Sequence, residues 1–292
     1  MQKEGESHEK NKNSVYCLEF MRRLLKGWSS RLGFILLLVI LLLCLFGPLF
    51  SPYGVNDIDL LNMYAGPCKA HWFGCDSMGR DIFTRLLYGG RYSLLLGFSS
   101  ALLSAAIGIV FGIIAGYFGG KTETFIMRFM DIWSALPGML LCIMISAFMG
   151  AGFFATVIAL TVGSIPGGVR MTRGQVLSER KKEYIEAAES INASKPAIMF
   201  RHLLPNVIQP MIIITTMSIG NMITMAASLS YIGLGIQPPT PEWGAMLADG
   251  RAYIRNYPFL ITFPGLAIAL TVLALNLLGD GLRDALDPKL RD

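Results

Sequence analysis

The stretch YIEAAESINASKPAIMFRHLLPN, residues 184–206, is polar, charged and rich in helix-forming residues. It separates two runs, 152–169 and 207–230, that contain no charged residue. Runs of that length and composition are typical of helices that cross a lipid bilayer, whereas the stretch between them is typical of helices in contact with water. The sequence therefore predicts a water-facing insert between two membrane spans.

The insert is predicted to form two short helices at an angle to each other. Residues 178–190 favour a helix, and Asn192 tolerates the left-handed backbone conformation that ends one. Ser194 can cap a second helix, with Pro196 in its first turn, and that helix is predicted to end at Leu204. One face of the first helix is small and apolar, through Tyr184, Ala187, Ala188 and Ile191. Such a face would let a soluble partner dock closely, although an ordinary surface hairpin would have the same pattern.

The composition of the whole chain is that of a membrane protein. Of its 292 residues, 53% are hydrophobic and only 15% are charged. A soluble domain is typically about a quarter charged, so this chain cannot enclose its apolar surface in one water-soluble core. The sequence predicts an all-α membrane protein with six transmembrane helices, the first of them an uncleaved anchor. The six apolar runs are 32–50, 93–117, 125–149, 152–169, 207–230 and 259–278.

The basic residues are distributed unequally between the two sides of these predicted spans. If the N-terminus lies inside, all but six of the 25 Lys and Arg residues fall on the inner side. Cytoplasmic loops of membrane proteins have such an excess of basic residues. Both termini and the insert are therefore predicted to be cytoplasmic, in a multi-pass protein of the cell membrane. The net charge of +5 has the same origin and implies no nucleic-acid partner.

The predicted spans divide the chain into five segments. A polar N-terminal tail, with residues 1–15 predicted to be disordered, precedes the first span and an outer loop. A core of five helices and a short cytoplasmic tail follow. The bounds are 1–31 for the N-terminal tail, 32–50 for the first helix, 51–91 for the outer loop, 92–280 for the core and 281–292 for the C-terminal tail. Within the core, 171–205 is the cytoplasmic loop that contains the insert, and 231–258 is a second outer loop.

The first outer loop contains SMGRDIFTRLLYGGR, residues 77–91, which predicts a short amphipathic helix. Its two predicted faces are the apolar one, Ile82, Phe83, Leu86 and Leu87, and the charged one, Arg80, Asp81 and Arg85.

Glycine and proline are placed unusually within the spans. Small residues on one face of the second span, Gly97, Gly108, Gly112 and Gly116, would let another helix approach closely. Prolines are predicted to bend four of the later spans or their ends, at Pro137, Pro166, Pro210 and Pro264. Bent helices around a cavity fit a transporter better than a rigid anchor.

The sequence argues against an enzyme. The three histidines, His8, His71 and His202, lie in a tail, an outer loop and the insert, so they cannot converge on one site. The segment AGYFGGKT at 115–122 ends like a phosphate-binding loop, but Ala115 stands where the first Gly is required and the segment follows an apolar helix. The chain is therefore expected to bind no ATP and no other cofactor itself.

The spans also lack the acids that ion-coupled carriers place at mid-membrane. Asp131 is the one acid well inside a predicted span, and Arg128, three residues earlier, is expected to pair with it. Neutral polar residues are present instead. Some of them are expected to line a water-filled pathway, and others are expected to form hydrogen bonds between helices. The candidates for the path are Thr161, Ser164, Thr216, Asn221 and Asn276.

Two cysteines flank a histidine in the first outer loop, at Cys68, His71 and Cys75. Outside the cell a disulfide between Cys68 and Cys75 is reasonable and would contribute roughly 2 to 3 kcal/mol of local order. A metal site that uses all three residues lacks an evident fourth ligand. Two free thiols are the remaining alternative.

Several motifs of this sequence resemble those of a known family. EAAESINASKPAIMFRHLLP is similar to the EAA motif of ABC importer permeases, which maps onto Glu186, Ala187, Ala188, Asn192, Leu204 and Pro205. Asn192 stands where the family usually has Gly, and Asn is the next-best residue for a positive φ. Longer strings resemble the second permease of dipeptide, oligopeptide and nickel importers: HWFGCDSMGRDIFTRLLYGGRYSLLLG, SYIGLGIQPPTPEWGAMLADGRAYI and NLLGDGLRDALDP. In the family, Thr is usual where this chain has Cys75.

The resemblance implies a type I ABC importer permease fold of six spans. Its expected partners are a second, homologous permease, two cytoplasmic ABC ATPase subunits that bind ATP and Mg²⁺, an extracytoplasmic substrate-binding protein and the lipid bilayer. The insert would form the coupling helix that docks on an ATPase, with Tyr184 and His202 beside the motif residues. Glu186 is expected to couple, because an acid there can pair with a basic or amide group of the ATPase.

The resemblance leaves the cargo open. Di- and oligopeptides are expected, with nickel or another metal complex as the alternative within the same architecture. From another class, an ion-coupled secondary carrier is disfavoured by the lack of mid-span acids, and a structural membrane protein by the polar, bent spans.

Overall fold

The computed structural model describes Arg22 and residues 24–286, and within that part of the chain it contains helices and no strand. The predicted N-terminal tail and the last residues of the C-terminal tail lie largely outside the described residues. Nine helices are numbered here in chain order. They are α1 (Trp28–Phe50), α2 (Ile82–Phe118), α3 (Gly120–Trp133), α4 (Gly138–Met149), α5 (Phe153–Glu179), α6 (Glu183–Ser190), α7 (Lys195–Tyr231), α8 (Trp243–Gly250) and α9 (Phe259–Leu286).

Five of these helices, α1, α2, α5, α7 and α9, are long and apolar enough to cross a membrane. The third predicted run, 125–149, is instead broken into α3 and α4, which meet at 75°. Pro137 has no amide hydrogen to continue the backbone ladder, and its extended conformation begins the new helix. The bent pair counts as the sixth span if its two halves cross together.

Helix α2 is longer than the sequence analysis predicted. The amphipathic segment at 77–91 is not a separate short helix, because its residues from Ile82 onward are the first turns of a continuous helix of 37 residues. The Asp81 side chain caps this helix by accepting a hydrogen bond from the Thr84 amide at 2.7 Å. The helix ends at Gly119, whose φ of 63° suits glycine.

The predicted cytoplasmic loop 171–205 is also shorter than expected. Helix α5 continues to Glu179 and α7 already begins at Lys195, so only the segment between them lies outside the long helices. The second short helix predicted in the insert is in fact the first part of α7. A π-helical segment, Ile198–Leu203, lies within it. We call residues 180–206 the hairpin, the end of the bundle that bears it the hairpin end, and the opposite end, with residues 51–81 and 232–258, the loop end.

Helix α2 lies at the centre of the bundle and packs mainly against α5 and α7, whereas α9 packs against α1 and α7. The buried glycine face of α2 meets two partners. Gly97 lies against Ile223 of α7, and Gly108 lies against Gly168 of α5. A Cβ at Gly108 would come within 2.9 Å of the Gly168 carbonyl carbon, so the backbones of α2 and α5 can approach only because this residue is glycine.

Three groups of buried side chains among the described residues stabilise the molecule. The largest one fills the bundle from its middle to the loop end and includes Leu96, Leu160, Ile223, Trp243 and Leu275. The smallest one, Met130, Ile165 and Val169, joins α3 to α5. The remaining one, here called the hairpin cluster, joins the hairpin to the ends of α2, α5 and α7. Its members are Ile113, Tyr117, Val176, Ile185, Ala188, Ile198, Leu203, Val207 and Met211.

Candidate functional site

The hairpin begins where α5 ends, and local hydrogen bonds set its shape. The Arg180 amide closes α5 by donating to the Val176 carbonyl at 2.8 Å, and α6 begins three residues later. Glu183 and Glu186 lie in the first turn of α6. Carboxylates in that position stabilise a helix through its dipole by about 0.3 to 1 kcal/mol each.

The turn between α6 and α7 is the one that the sequence predicted. Asn192 has a φ of 59°, which confirms the left-handed conformation expected for the residue that replaces glycine in the motif. The Ala193 amide donates to the Ala188 carbonyl at 3.1 Å, and the Asn192 amide to the Glu189 carbonyl at 2.9 Å. Ser194 occupies the cap position of α7 without a side-chain hydrogen bond.

The face of α6 that packs on the bundle differs from the predicted stripe. Ile185 and Ala188 are buried in the hairpin cluster, while Ala187 and Ile191 point to solvent. The two motif alanines therefore lie on different sides of the helix. Tyr184 is half-buried, and its hydroxyl donates to Glu179 Oε2 at 2.7 Å; burial and this carboxylate raise the tyrosine pKa above its usual range.

The outward surface of the hairpin combines a free acid with exposed apolar side chains. Glu186 is exposed, and its carboxylate has no ion pair or hydrogen bond within the described part of the chain. Ile191 and Phe200 are 80% and 68% exposed. Phe200 was missed in the sequence analysis. Its sequence signal is its position between the buried Ile198 and Leu203, which forces it to the opposite side of the helix.

The remaining motif residues lie in the first turns of α7. His202 and Leu204 are half-buried, and Pro205 is exposed. The His202 carbonyl accepts a hydrogen bond from Asn206 Nδ2 at 2.7 Å, so the side chain of Asn206 compensates for part of the disturbed backbone ladder near Pro205. The π-helical segment immediately before Leu204 widens the same turn.

The five residues predicted to line a path do not converge on one place. Thr161 is buried and donates to the Ser100 carbonyl of α2 at 3.5 Å, which is a contact between helices. The Thr216 hydroxyl bonds its own helix at the Ile212 carbonyl, 2.9 Å away. Asn276 shares an exposed, otherwise apolar face of α9 with Leu266 and Leu273.

Ser164 and Asn221 lie on the neighbouring helices α5 and α7, and Ser164 contacts the residue that follows Asn221. The Ser164 hydroxyl lies 3.7 Å from the sulfur of Met222. Asn221 is exposed, and its amide has no hydrogen bond within the residues that the structure describes. Thr224 and Ser228 continue the face of Asn221 toward the loop end, and we call these three residues the polar strip of α7.

Asp131 pairs with a different arginine from the one predicted. Its Oδ1 lies 3.0 Å from Arg170 Nη2 of α5, rather than forming an ion pair with Arg128 on its own helix. A second ion pair between the same two helices joins Glu123 to Arg173. These contacts hold α3 along the hairpin end of α5, and the local helix spacing could not predict them because the partner residues are about 40 to 50 positions away.

At the loop end, the charged residues at the start of α2 are buried, in contrast to the predicted separation into apolar and charged faces. Arg80, Asp81 and Arg85 are each less than 5% exposed. Arg80 Nε donates to Asp76 Oδ2 at 2.7 Å, and Arg85 Nε lies 3.5 Å from the same oxygen. The Arg85 guanidinium also donates to the Val55 carbonyl at 3.1 Å. These partners come from the preceding loop, so a helical pattern alone cannot reveal them.

A chain of polar contacts joins the end of α1 to the start of α2. His71 Nδ1 lies 3.0 Å from Asp81 Oδ1, while Asp81 Oδ2 accepts from both the amide and the hydroxyl of Thr84. The hydroxyls of Thr84 and Ser51 are 2.6 Å apart. The Tyr53 ring stacks on His71 with 4.6 Å between centroids. His71 is thus part of a structural network with Asp81.

Helix α8 is attached to α2 by a second network that the sequence analysis missed. Glu242 is buried and accepts hydrogen bonds from the Ser93 hydroxyl at 2.8 Å and from the Ala245 amide at 2.9 Å. The Trp243 amide donates to the Ser93 oxygen at 3.1 Å, and its indole donates to the Leu86 carbonyl at 2.9 Å. The one charged residue of the string PEWG, Glu242, is the only sequence signal for this contact.

Cys68 and Cys75 are free thiols in the structure, which differs from the disulfide that the sequence favoured. Cys68 is exposed, and its sulfur accepts a hydrogen bond from the His71 amide at 3.3 Å. Cys75 is fully buried. Burial raises the pKa of the Cys75 thiol to about 12, and the nearby carboxylates of Asp81 and Asp76 add to this shift.

Comparison with known proteins is consistent with this architecture. Residues 108–292 match the family described as "Binding-protein-dependent transport system inner membrane component". Residues 16–67 match the "N-terminal TM domain of oligopeptide transport permease C". Among solved structures, the methionine ABC transporter MetNI in an inward-facing conformation is similar with a TM-score of 0.59 and 19% identity, over 70% of this chain and 97% of that one. The likeness to MetNI concerns the fold alone.

Curated relatives are similar over nearly the whole length. The glutathione transport system permease protein GsiD of Pectobacterium atrosepticum is 45% identical over 276 residues, which cover 94% of this chain and 91% of that protein. The protein of the same name from Escherichia coli O6:K15:H31 is 45% identical over 274 residues, or 94% and 90% of the two chains. These relatives are transport permeases and not enzymes. The chain therefore belongs to the inner-membrane components of binding-protein-dependent transport systems and is a multi-pass permease subunit of an ABC importer.

Proposed function

We propose that this permease subunit forms half of the translocation pathway of an importer for small peptides and that its hairpin binds a cytoplasmic ATPase. The observation that carries the second part is the surface of the hairpin, which exposes the unpaired Glu186 and the apolar side chains of Ile191 and Phe200. Exposed apolar side chains together with an unpaired charge are typical of a surface that a partner covers.

The assembly that follows from this proposal contains four kinds of subunit. A second, homologous permease completes the pathway, and two ATPases bind ATP and Mg²⁺ and dock on the two hairpins. A substrate-binding protein delivers cargo to the loop end. The hairpin end is then cytoplasmic, in agreement with the excess of Lys and Arg on that side of the chain.

The polar strip of α7 is the proposed wall of the pathway in this subunit. An unbonded amide in contact with acyl chains costs several kcal/mol, so the face with Asn221 needs water or a polar partner. Ser164 contacts α7 at Met222, the residue that follows Asn221. Thr161 bonds to a backbone carbonyl of α2 and is better explained as a contact between helices. Thr216 bonds within its own helix, as Thr224 and Ser228 also do, so these bonds do not separate it from the strip.

Small peptides are the proposed cargo because the similar curated proteins are named as glutathione permeases, and glutathione is a tripeptide. The resemblance of the outer strings to permeases of dipeptide and oligopeptide importers points to the same class. Relatives within that group also take nickel, so the experiment includes a metal complex as a competing cargo.

Transport by the reconstituted assembly tests this proposal. The two permeases and the ATPases are placed in liposomes, and the binding protein is added with labelled di- and tripeptides or with a nickel complex. The membrane potential is collapsed by an ionophore. Peptide uptake that requires ATP hydrolysis is expected. Uptake of nickel alone contradicts the peptide cargo, and uptake that needs an ion gradient without ATP contradicts the coupling.

A further inference from the structure

The inner end of α2 lies directly beneath the hairpin. Tyr117, the penultimate residue of α2, is only 7% exposed and belongs to the hairpin cluster. In that cluster it packs with Val176 of α5 and with Ile185 and Ala188 of α6. Any displacement of α6 therefore acts directly on the end of α2 through these packing contacts.

Both sides of the hairpin also contact the last two residues of α2. The Arg180 guanidinium carbon, at the start of the hairpin, lies 5.9 Å from the centroid of the Tyr117 ring. The Lys195 ammonium nitrogen, at the first residue of α7, lies 5.7 Å from the centroid of the Phe118 ring. A cation within about 6 Å of an aromatic centroid is attracted to the ring. Two adjacent aromatic side chains are thus held by cations from the two sides of the hairpin.

The end of α2 is fixed rather than frayed. The Gly119 amide donates to the Ala115 carbonyl at 3.2 Å and closes the last turn. Four residues later, Glu123 forms the ion pair with Arg173 of α5. The corner between α2 and α3 is therefore attached to the same helix from which the hairpin begins.

Helix α2 differs from the other four candidate spans in having no internal proline. It runs for 37 residues, or about 55 Å at 1.5 Å per residue, without an internal proline. A proline removes one backbone hydrogen bond and lets a helix bend at that point. Internal prolines in the other four spans are Pro48 in α1, Pro166 in α5, Pro210 in α7 and Pro264 in α9.

The outer half of α2 is attached to α8 by hydrogen bonds. Ser93 of α2 bonds both to the buried Glu242 and to the Trp243 amide. Trp243 is 1% exposed and its indole donates to the Leu86 carbonyl. One rigid element therefore contacts the hairpin at one end and the loop end of the protein at the other.

We propose that α2 transmits movement between the hairpin and the loop end, and that Tyr117 and Phe118 are the positioning residues through which the hairpin moves it. This inference rests on the proposed function, because it assigns the route by which ATPase and binding protein affect each other. Coupling between two sites is reciprocal, so a binding protein docked at the loop end alters the hairpin by the same route.

The assembled importer in lipid nanodiscs tests the inference. The measured quantity is the ratio of the ATPase rate with peptide-loaded binding protein to the rate without it. In the double variant Tyr117→Leu and Phe118→Leu, which keeps apolar side chains but removes the rings, this ratio is expected to fall at least about fivefold, the lower end of typical coupling factors. Tyr117→Phe keeps the ring and is expected to preserve the ratio. Phe111→Leu, an exposed aromatic on the same helix, is the matched control.

A second double variant is measured in case the first one does not assemble. Arg180→Gln with Lys195→Gln changes two exposed side chains and is expected to lower the same ratio. An unchanged ratio in either variant overturns the inference, and so does an equal fall of both rates, which would indicate a structural role only. If the unmodified assembly neither imports peptide nor responds to the binding protein, the proposed function fails and the inference with it. Import by the unmodified assembly together with unchanged variants contradicts the inference alone.

Discussion

Glu186 is exposed in the first turn of α6, with no partner for its carboxylate among the described residues. An acid in this position stabilises its own helix only slightly. Its free carboxylate is therefore available to a partner, as the proposed function requires. The same holds for Ile191 and Phe200, whose apolar surface faces solvent on the same hairpin.

The first prediction concerns Glu186→Arg. This variant is expected to insert normally into the membrane but to abolish uptake in the liposome assay, because it places a cation where the ATPase is expected to present a basic or amide group. Glu183→Arg is the control, since it makes the same charge change in the same helical turn outside the motif. Uptake at the unmodified rate in Glu186→Arg would rule out its coupling role.

The second prediction concerns the apolar part of the same surface. Phe200→Ser and Ile191→Ser are each expected to weaken binding of the ATPase at least about tenfold, because tenfold corresponds to about 1.4 kcal/mol and fully burying one such side chain contributes about 1.5 to 3 kcal/mol. The measurement is the dissociation constant of the ATPase from the detergent-solubilised permease pair. Leu61→Ser, at the loop end and 97% exposed, should leave it unchanged. Equal affinities for all three variants would place the docking surface elsewhere.

The third prediction concerns the thiols of the first outer loop. A membrane-impermeant maleimide added to intact cells or proteoliposomes is expected to label Cys68 and to spare Cys75, because the thiolate is the reactive form and the Cys75 pKa is raised to about 12. The neutral thiol of Cys75 should persist from pH 6 to well above pH 9, so its labelling stays low across that range. Mass spectrometry locates the label, and Cys68→Ser is the control. Labelling that requires a reductant would indicate the disulfide instead.

At the scale of single residues, the sequence predicted the features that depend on local backbone geometry. The φ of Asn192 follows from the turn that the motif requires. Which of the two adjacent alanines is buried, and that Phe200 faces solvent, depends on which side of the hairpin meets Tyr117 and Val176, and those residues are distant in the chain. The buried charges of Arg80 and Arg85 were misjudged for the same reason, since Asp76 and Val55 reach them through the folded loop.

At the scale of helices, hydropathy predicted where spans lie but not where they end or how they join. Helices α2 and α7 extend past their apolar runs because polar residues continue a helix once its ends are capped or bonded, as Asp81 does for α2. The break between α3 and α4 was predicted only as a bend at Pro137. Its 75° angle depends on the contacts of α3 with α5, such as Asp131 with Arg170.

The fourth prediction concerns the close contact of α2 with α5. Gly108→Ala is expected to destabilise the permease by about 1 to 3 kcal/mol, because the added Cβ meets the backbone at Gly168, which cannot move aside as a side chain can. Gly174→Ala, on α5, adds its Cβ to open space and should be neutral or stabilising by up to about 1 kcal/mol. The midpoint of thermal unfolding in detergent measures both. A variant at Gly108 as stable as that at Gly174 would contradict the packing described for these helices.

At the scale of the whole molecule, the bundle exposes two kinds of surface in its apolar zone. The face of α9 with Leu266 and Leu273 is apolar and suits lipid, whereas the polar strip of α7 does not. The sequence identified Asn221 as a candidate, but not that it faces outward from its own subunit. That fact follows only from the packing of α7 against α2, α5 and α9.

The fifth prediction tests this division. In the assembled importer, Asn221→Cys is expected to react with a water-soluble thiol reagent, because the pathway admits water that keeps a fraction of the thiol ionised. Leu273→Cys is expected not to react, since hydrocarbon around it suppresses the thiolate. Reactivity is measured with and without loaded binding protein. Equal reactivity at the two positions would show that the polar strip is no part of the pathway.

The unbonded amide of Asn221 has a consequence for the cell as well. Under the proposed function, a copy of this chain that is synthesised without its companion leaves the amide facing acyl chains, which costs several kcal/mol. Surplus copies are then recognisable as orphans by the proteases that clear unassembled membrane proteins. The abundance of the companion would therefore set the steady-state level of this chain, whatever the strength of its own promoter.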